Sequence, residues 1–180
     1  DVYGNQRVLR DPKGNETRLA YDESQRLVQR TLPLGQTEQM TYDAFGRLAR
    51  RSDFMGQTTV LGYDALGRMA EKRLYAPGSN APSSTVGFAY DGLGHLQKVS
   101  DARGETTYEY DLEGRLIGME SPEGALHYEY DPVVGSRTRV FTTYSDTRYG
   151  YDFQGRLETV TVHKRNGVDL AQPETTRYRY

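Results

Sequence analysis

Tyr42, Asp43, Gly46 and Arg47, in the stretch TYDAFGRLAR (residues 41–50), place a phenol, a carboxylate, a permissive backbone and a guanidinium within six positions. A carboxylate beside a guanidinium has the parts of an acid and an electrophile. The same residue types return along the whole chain. A catalytic pair has no need of six or seven copies, whereas a turn and its cross-strand charge pair recur with every hairpin, so the repetition argues for scaffolding and no catalytic residue is assigned. His95, His127 and His163 stand apart from one another, and with no Cys in the chain no metal-ligand spacing exists. No D-x-D-x-D-G calcium loop, phosphate-cradling Gly-rich loop or G-x-S-x-G elbow occurs. The expectation is a protein that is not an enzyme and carries no cofactor and no metal.

Composition narrows the class further. Only 36% of the 180 residues are apolar and the mean hydropathy is −0.80, yet 19 Gly bring the chain near the globular norm. Fifteen Tyr and no Trp suit half-buried surfaces with the ring packed and the hydroxyl wet, so thin β-structure is expected in place of a thick core. A balance of 23 basic against 25 acidic residues offers no field for a phosphate backbone, which argues against nucleic acid. No apolar stretch approaches the roughly 20 residues of a membrane-spanning helix. The opening residues DVYGNQRVLR have no apolar signal-peptide region.

The elements that must position these residues follow from the period. Tyr-Asp recurs at Tyr21-Asp22, Tyr42-Asp43, Tyr63-Asp64, Tyr90-Asp91, Tyr110-Asp111, Tyr130-Asp131 and Tyr151-Asp152, in steps of 21, 21, 27, 20, 20 and 21 residues. Most copies continue with a Gly and a basic residue: Gly46-Arg47, Gly67-Arg68, Gly94-His95, Gly114-Arg115 and Gly155-Arg156, with Gln25 in the glycine place of the first copy. Midway lie DPKG (11–14), LPLG (32–35), DFMG (53–56), DARG (101–104) and SPEG (121–124). Both series have the form of a type I turn whose closing Gly is left-handed, as in a three-residue hairpin loop with a G1 bulge. A turn every ten or so residues predicts a continuous antiparallel meander and leaves no room for helix.

Register follows as well. If Asp and the residue after Gly close each turn, Tyr42 faces Leu48, Tyr63 faces Met69, Tyr90 faces Leu96, Tyr110 faces Leu116 and Tyr151 faces Leu157. Leu19, Met40, Leu61, Phe88, Tyr108, Tyr128 and Tyr149, two residues before each Tyr, share its face. The Asp–Arg pairs are expected on the opposite face. The stripe of Tyr rings has two readings: stacking that stabilises a single-layer sheet, or a surface for sugar rings.

The array is expected to fill residues 1–180 as a single run of about seven to eight repeats, with enlarged loops near 74–87 and 162–178. Asp1 and Tyr180 each match half a Tyr-Asp motif, so the chain reads as part of a longer array. An isolated strip also has two unpaired edges and is expected to associate edge to edge.

These motifs resemble the RHS or YD-repeat proteins, over essentially the whole chain. The resemblance implies an all-β strip that spirals into a hollow shell. In bacterial polymorphic Rhs toxins and Tc toxins such a shell encloses a toxic C-terminal domain, and in animal teneurins a similar barrel supports adhesion. It implies as partners the flanking repeats of a parent chain and an enclosed toxin or effector, and a secreted or cell-surface location. The rival function is a glycan- or cell-surface-binding module, because YD repeats have been linked to carbohydrate. One departure is plain: DPKGNETRLAYD (11–22) opens like the self-cleavage motif of Rhs toxins, DPxGxxxGxNxY, and lacks its remainder.

Overall fold

A computed structural model describes residues 1–180. The chain is all-β, with sixteen strands and no helix. It forms two compact units, Asp1–Phe88 and Ala89–Tyr180.

The first unit holds β1 (Val8–Arg10), β2 (Glu16–Tyr21), β3 (Leu27–Thr31), β4 (Thr37–Tyr42), β5 (Leu48–Ser52), β6 (Thr58–Tyr63), β7 (Met69–Tyr75) and most of β8 (Ser84–Tyr90). The second holds β9 (Leu96–Asp101), β10 (Gly104–Tyr110), β11 (Leu116–Ser121), β12 (Gly124–Tyr130), β13 (Arg137–Phe141), β14 (Asp146–Tyr151), β15 (Leu157–Arg165) and β16 (Val168–Arg177). Within each unit every strand pairs antiparallel with its neighbour in sequence, which is the expected meander. Each motif Tyr is the last residue of its strand, and the following Asp opens the turn.

The tight turns form because the sequence supplies a carboxylate at the first position and Gly at the fourth. Gly46 has φ +81° and its N–H donates to the Asp43 carbonyl at 3.0 Å. Gln25 takes the same left-handed conformation, φ +62°, without being glycine. The midway turns divide into two kinds. Those at 11–14, 32–35 and 53–56 are three-residue loops like the motif turns, the fourth residue donating to the first. At 101–104 and 121–124 the closing Gly instead pairs directly with Asp101 and Ser121, so those loops have two residues.

Two further differences from the expectation concern the long connections. The first shrinks to Ala76–Ser83, because β7 and β8 extend into the stretch assigned to loop. The second, 162–178, is for the most part strand. Residues through Arg165 continue β15, Asn166 (φ +51°) and Gly167 (φ +79°) make a two-residue hairpin turn, and β16 returns. Two successive left-handed residues match the twist of a hairpin, which is why Asn-Gly is favoured there.

No apolar side chain is fully buried, so hydrophobic burial alone does not hold these sheets. The most buried polar side chain is that of Glu38, 3% exposed, on β4 between two arginines. Arg51 Nε donates to Glu38 Oε1 at 2.7 Å, and Arg30 Nη2 lies 3.1 Å from Oε2. By alternation Glu38 lies on the face of Met40 and Tyr42, so the expected aromatic and aliphatic stripe is interleaved with charge. In the second unit the buried Asp146 is held likewise by two bonds of 2.8 Å from Arg139.

Gly46→Val tests the turn. It places a β-branched side chain at φ +81°, and the new Cβ would meet Arg26 Nη1 at 3.3 Å. A loss of about 1–2 kcal/mol or more is expected in urea unfolding, and an unchanged midpoint would contradict the turn geometry.

Candidate functional site

The candidate site is the repeated corner, and the Asp organises it. Asp43 Oδ1 accepts from the backbone N–H groups of Phe45 and Arg47, both at 2.9 Å, and Oδ2 accepts from Arg47 Nε at 2.7 Å. Its own N–H donates to the Arg47 carbonyl at 2.8 Å. The same set is built around Asp22, Asp64, Asp111 and Asp152, and around Asp91 with His95 in the arginine place. Asp131 is the exception: the loop has one more residue, Ser136 stands where Arg would, and the carboxylate accepts only from Val133 and Val134. The expected pairings Tyr42–Leu48, Tyr63–Met69, Tyr110–Leu116 and Tyr151–Leu157 are present as Cα partners.

The expectation that the Asp–Arg pairs lie on the face opposite the tyrosines is corrected. Arg26 lies over the Tyr42 ring at 4.7 Å, Arg47 over Tyr63 at 4.4 Å, Arg115 over Tyr130 at 4.8 Å and Arg156 over Tyr180 at 4.7 Å. The cause is a one-residue bulge beside every motif Tyr with a described pairing. Thr41 pairs Arg50 while Tyr42 pairs Leu48, so Ala49 is extra, and the equivalents are Val28, Ala70, Ile117, Thr138 and Glu158. One extra residue reverses the alternation, which turns each guanidinium onto the tyrosine face. Sequence reasoning missed these six residues, since nothing in their types marks a bulge.

Six of the motif tyrosines also reach backward through their hydroxyls. Tyr42 donates to the Leu27 carbonyl at 2.8 Å, Tyr63 to Leu48 at 2.8 Å, Tyr110 to Leu96 at 2.9 Å, Tyr130 to Leu116 at 2.9 Å and Tyr151 to Arg137 at 2.9 Å. Tyr21 donates to Gln6 at 3.0 Å and Tyr180 to Leu157 at 3.1 Å. The motif Gly has a second duty beyond its φ. A Cβ at Gly67 would stand 3.3 Å from Arg47 Nη1, and one at Gly135 3.2 Å from Arg115 Nη1. One guanidinium therefore touches the Asp of its own corner and the Tyr and Gly of the next.

Electrostatics follow this geometry. The side-chain bond from Arg26 and then its backbone N–H hold Asp22 below the usual carboxylate range. At Asp43, Asp64 and Asp111 partial desolvation pushes upward and is outweighed by the bonds from Arg47, Arg68 and Arg115, so these too lie low. No group of three or more His, Asp or Glu is placed to hold a metal ion, and no helix is long and apolar enough to cross a membrane.

Such corners define an antiparallel β-repeat protein in which each hairpin is keyed to the next by side chains of a fixed motif. Residues 1–37, 21–54, 42–76 and 90–126 match the RHS repeat model, more than half of the chain, and the protein belongs to the RHS-repeat family. No curated protein sequence matches it. Among solved structures it is similar to TcdB2-TccC3-Cdc42, with TM-score 0.70 and 22% identity over 82% of this chain and 9% of that one. It is also similar to the Photorhabdus luminescens Tc holotoxin pore carrying a TccC3 mutation, with TM-score 0.66 and 20% identity over 100% of this chain and 12% of that one. TcdB2-TccC3-TEV gives TM-score 0.65 and 19% identity over the same shares. The chain thus spans about a tenth of the length of these proteins, and the likeness establishes the fold.

Two measurements test the corner. In a double-mutant cycle, Arg47→Ala and Tyr63→Ala should couple by about 0.5–1 kcal/mol through the ring–guanidinium contact, while Tyr63→Phe alone, which loses only the hydroxyl bond, should cost about 0.5–1.5 kcal/mol. Strict additivity of Arg47→Ala and Tyr63→Ala would mean the two side chains act independently. Acid should also weaken the fold. A carboxylate depressed in the folded state contributes stability above its unfolded pKa of about 3.9, and that contribution is lost as pH falls through the lower folded value. The urea midpoint should therefore drop below about pH 4, and Asp22→Asn with Asp43→Asn and Asp64→Asn should flatten the drop.

Proposed function

We propose that the chain is a wall segment of an RHS-repeat shell, enclosing a C-terminal toxin or effector domain of a secreted bacterial toxin. The observation that carries this reading is the corner ladder itself, repeated on a fold similar to TcdB2-TccC3. The interactions of the motif residues are spent on one another: carboxylates on turn amides and guanidinium groups, hydroxyls on backbone carbonyls, ring faces on arginines. Its role would be steric, with no catalytic residue and no cofactor, and Tyr21, Asp22, Tyr42, Asp43, Gly46, Arg47 and their equivalents serving as the repeat framework of one continuous array. The flanking repeats of the parent chain would pair with the free edges of β1 and β16.

The glycan reading rests on exposed tyrosine faces. In the corners one ring face is already covered by a guanidinium, at 4.4–4.8 Å, which favours the wall reading. The test is limited proteolysis of the full-length parent protein. The domain after the repeats should resist digestion in the intact protein and become accessible when Gly46→Val and Gly67→Val are introduced together. Equal digestion of that domain in both proteins would overturn enclosure, and saturable binding on a glycan array, lost in Tyr108→Ala or Tyr128→Ala, would establish the adhesion reading instead.

A further inference from the structure

One corner differs from its fellows in a single chemical respect. At Asp91–His95 an imidazole takes the place that arginine fills at Asp22, Asp43, Asp64, Asp111 and Asp152. The substitute makes the same contacts. His95 Nδ1 lies 2.9 Å from Asp91 Oδ2, its backbone N–H donates to Asp91 Oδ1 at 2.8 Å, and its ring stacks on Tyr110 with centroids 4.7 Å apart and planes 24° apart. Nε2 packs against Gly114, where an added Cβ would be 2.9 Å away, as arginine does at Gly67 and Gly135. The imidazole is thus seated as a guanidinium surrogate, bridging one corner to the next.

From this geometry we propose that the Asp91–His95 corner is a pH-responsive joint, closed at mildly acidic pH and loosened toward neutral and alkaline pH, in a ladder whose other basic corners hold a permanent charge. Guanidinium stays protonated throughout, whereas imidazole as a side-chain class changes charge between about pH 5 and 8. Protonated, His95 makes a charge-assisted bond to the carboxylate and a cationic stack on Tyr110. Neutral, it keeps a weaker bond and an uncharged stack. The other ionisable groups that line the cavity beside His95 are Glu109 and Tyr108 on β10, and Asp111, which Arg115 already engages. Desolvation pushes Asp91 upward but is outweighed by the His95 side-chain bond and the turn amides, so the carboxylate stays ionised through this range. The sign follows: the ion pair needs an ionised Asp91 and a cationic partner, so it is complete above the range in which Asp91 takes up a proton and lost where an imidazole, unlike a guanidinium, becomes neutral.

Hydrogen exchange on the wild-type protein reads this directly. Between about pH 5.5 and about pH 8, after correction for intrinsic exchange, protection of the Asp91 and Gly94 amides should fall about three- to ten-fold. Asp43 and Gly46, at an arginine corner, should not change. His95→Arg should abolish the fall, and His95→Gln should hold the corner at the lower protection at both pH values. His127 and His163 remain in both variants, so a difference isolates His95. Constant protection at Asp91 in the wild type, or an equal fall at Asp43 and Asp91, overturns the proposal, and that comparison needs no variant to fold.

Discussion

The guanidinium shared between two corners is the interaction on which the rest of the structure depends. Arg47 is held by Asp43 in its own turn and lies over Tyr63 in the next. A sheet whose apolar residues are at most partly buried has only a modest hydrophobic preference for one register over another, since sliding a strand exposes only part of each side chain. Turn geometry and side-chain contacts between successive hairpins therefore fix the pairing together. Each is modest, about 0.5–1 kcal/mol for an exposed ring–cation contact, but all of them favour the same register. Stability is then a sum over neighbouring corners, as in other repeat proteins.

The bulge is what makes this sharing possible. Without Ala49 as an extra residue, strict alternation would turn Arg47 away from the face of Tyr42 and Tyr63. With it, the residues two before each Tyr meet partners one place further along: Leu19 meets Arg30, Met40 meets Arg51, Leu61 meets Lys72. In the second unit Tyr108 meets Met119, Tyr128 meets Val140 and Tyr149 meets Val160. The basic partners of the first unit suit a thin sheet, because a Lys or Arg stem covers an apolar neighbour while its charged end stays in water or, as Arg51 does, reaches a buried carboxylate. Turn tips carry no such demand. Phe45, Leu112 and Phe153 are more than four-fifths exposed, and their types vary freely from copy to copy.

What the sequence made legible was whatever depends on a residue's type at a fixed place. Gly at the fourth turn position and Asp at the first are demanded by backbone conformation and by turn amides, so the period, the all-β class and the Tyr–Leu partners could all be read. The bulge could not, because Val28, Ala49, Ala70, Ile117, Thr138 and Glu158 share no chemistry. The face of the arginines went wrong with it. DARG and SPEG are spelled like DPKG and DFMG yet close as two-residue loops, so four letters underdetermine the turn, and the strands on either side decide. The segment 162–178 was obscured by Pro173, which breaks a central strand but is tolerated in β16, an edge strand whose pairing with β15 is irregular near His163.

Nearest-neighbour coupling also explains which departures from the motif the array tolerates. Gln25 accepts a left-handed backbone at a cost of roughly 1 kcal/mol, and the corner keeps its Arg26 contacts to Asp22 and Tyr42. Ser136 forfeits both the carboxylate bond and the ring contact of its corner, yet Tyr151 still donates to the Arg137 carbonyl. In each case what is lost is confined to one corner and its successor, because no interaction of the ladder reaches further. A buried core would spread such a loss over every element packed on it. A protein built from repeated corners can therefore vary one corner's chemistry, even to a residue that titrates, while its neighbours keep the register.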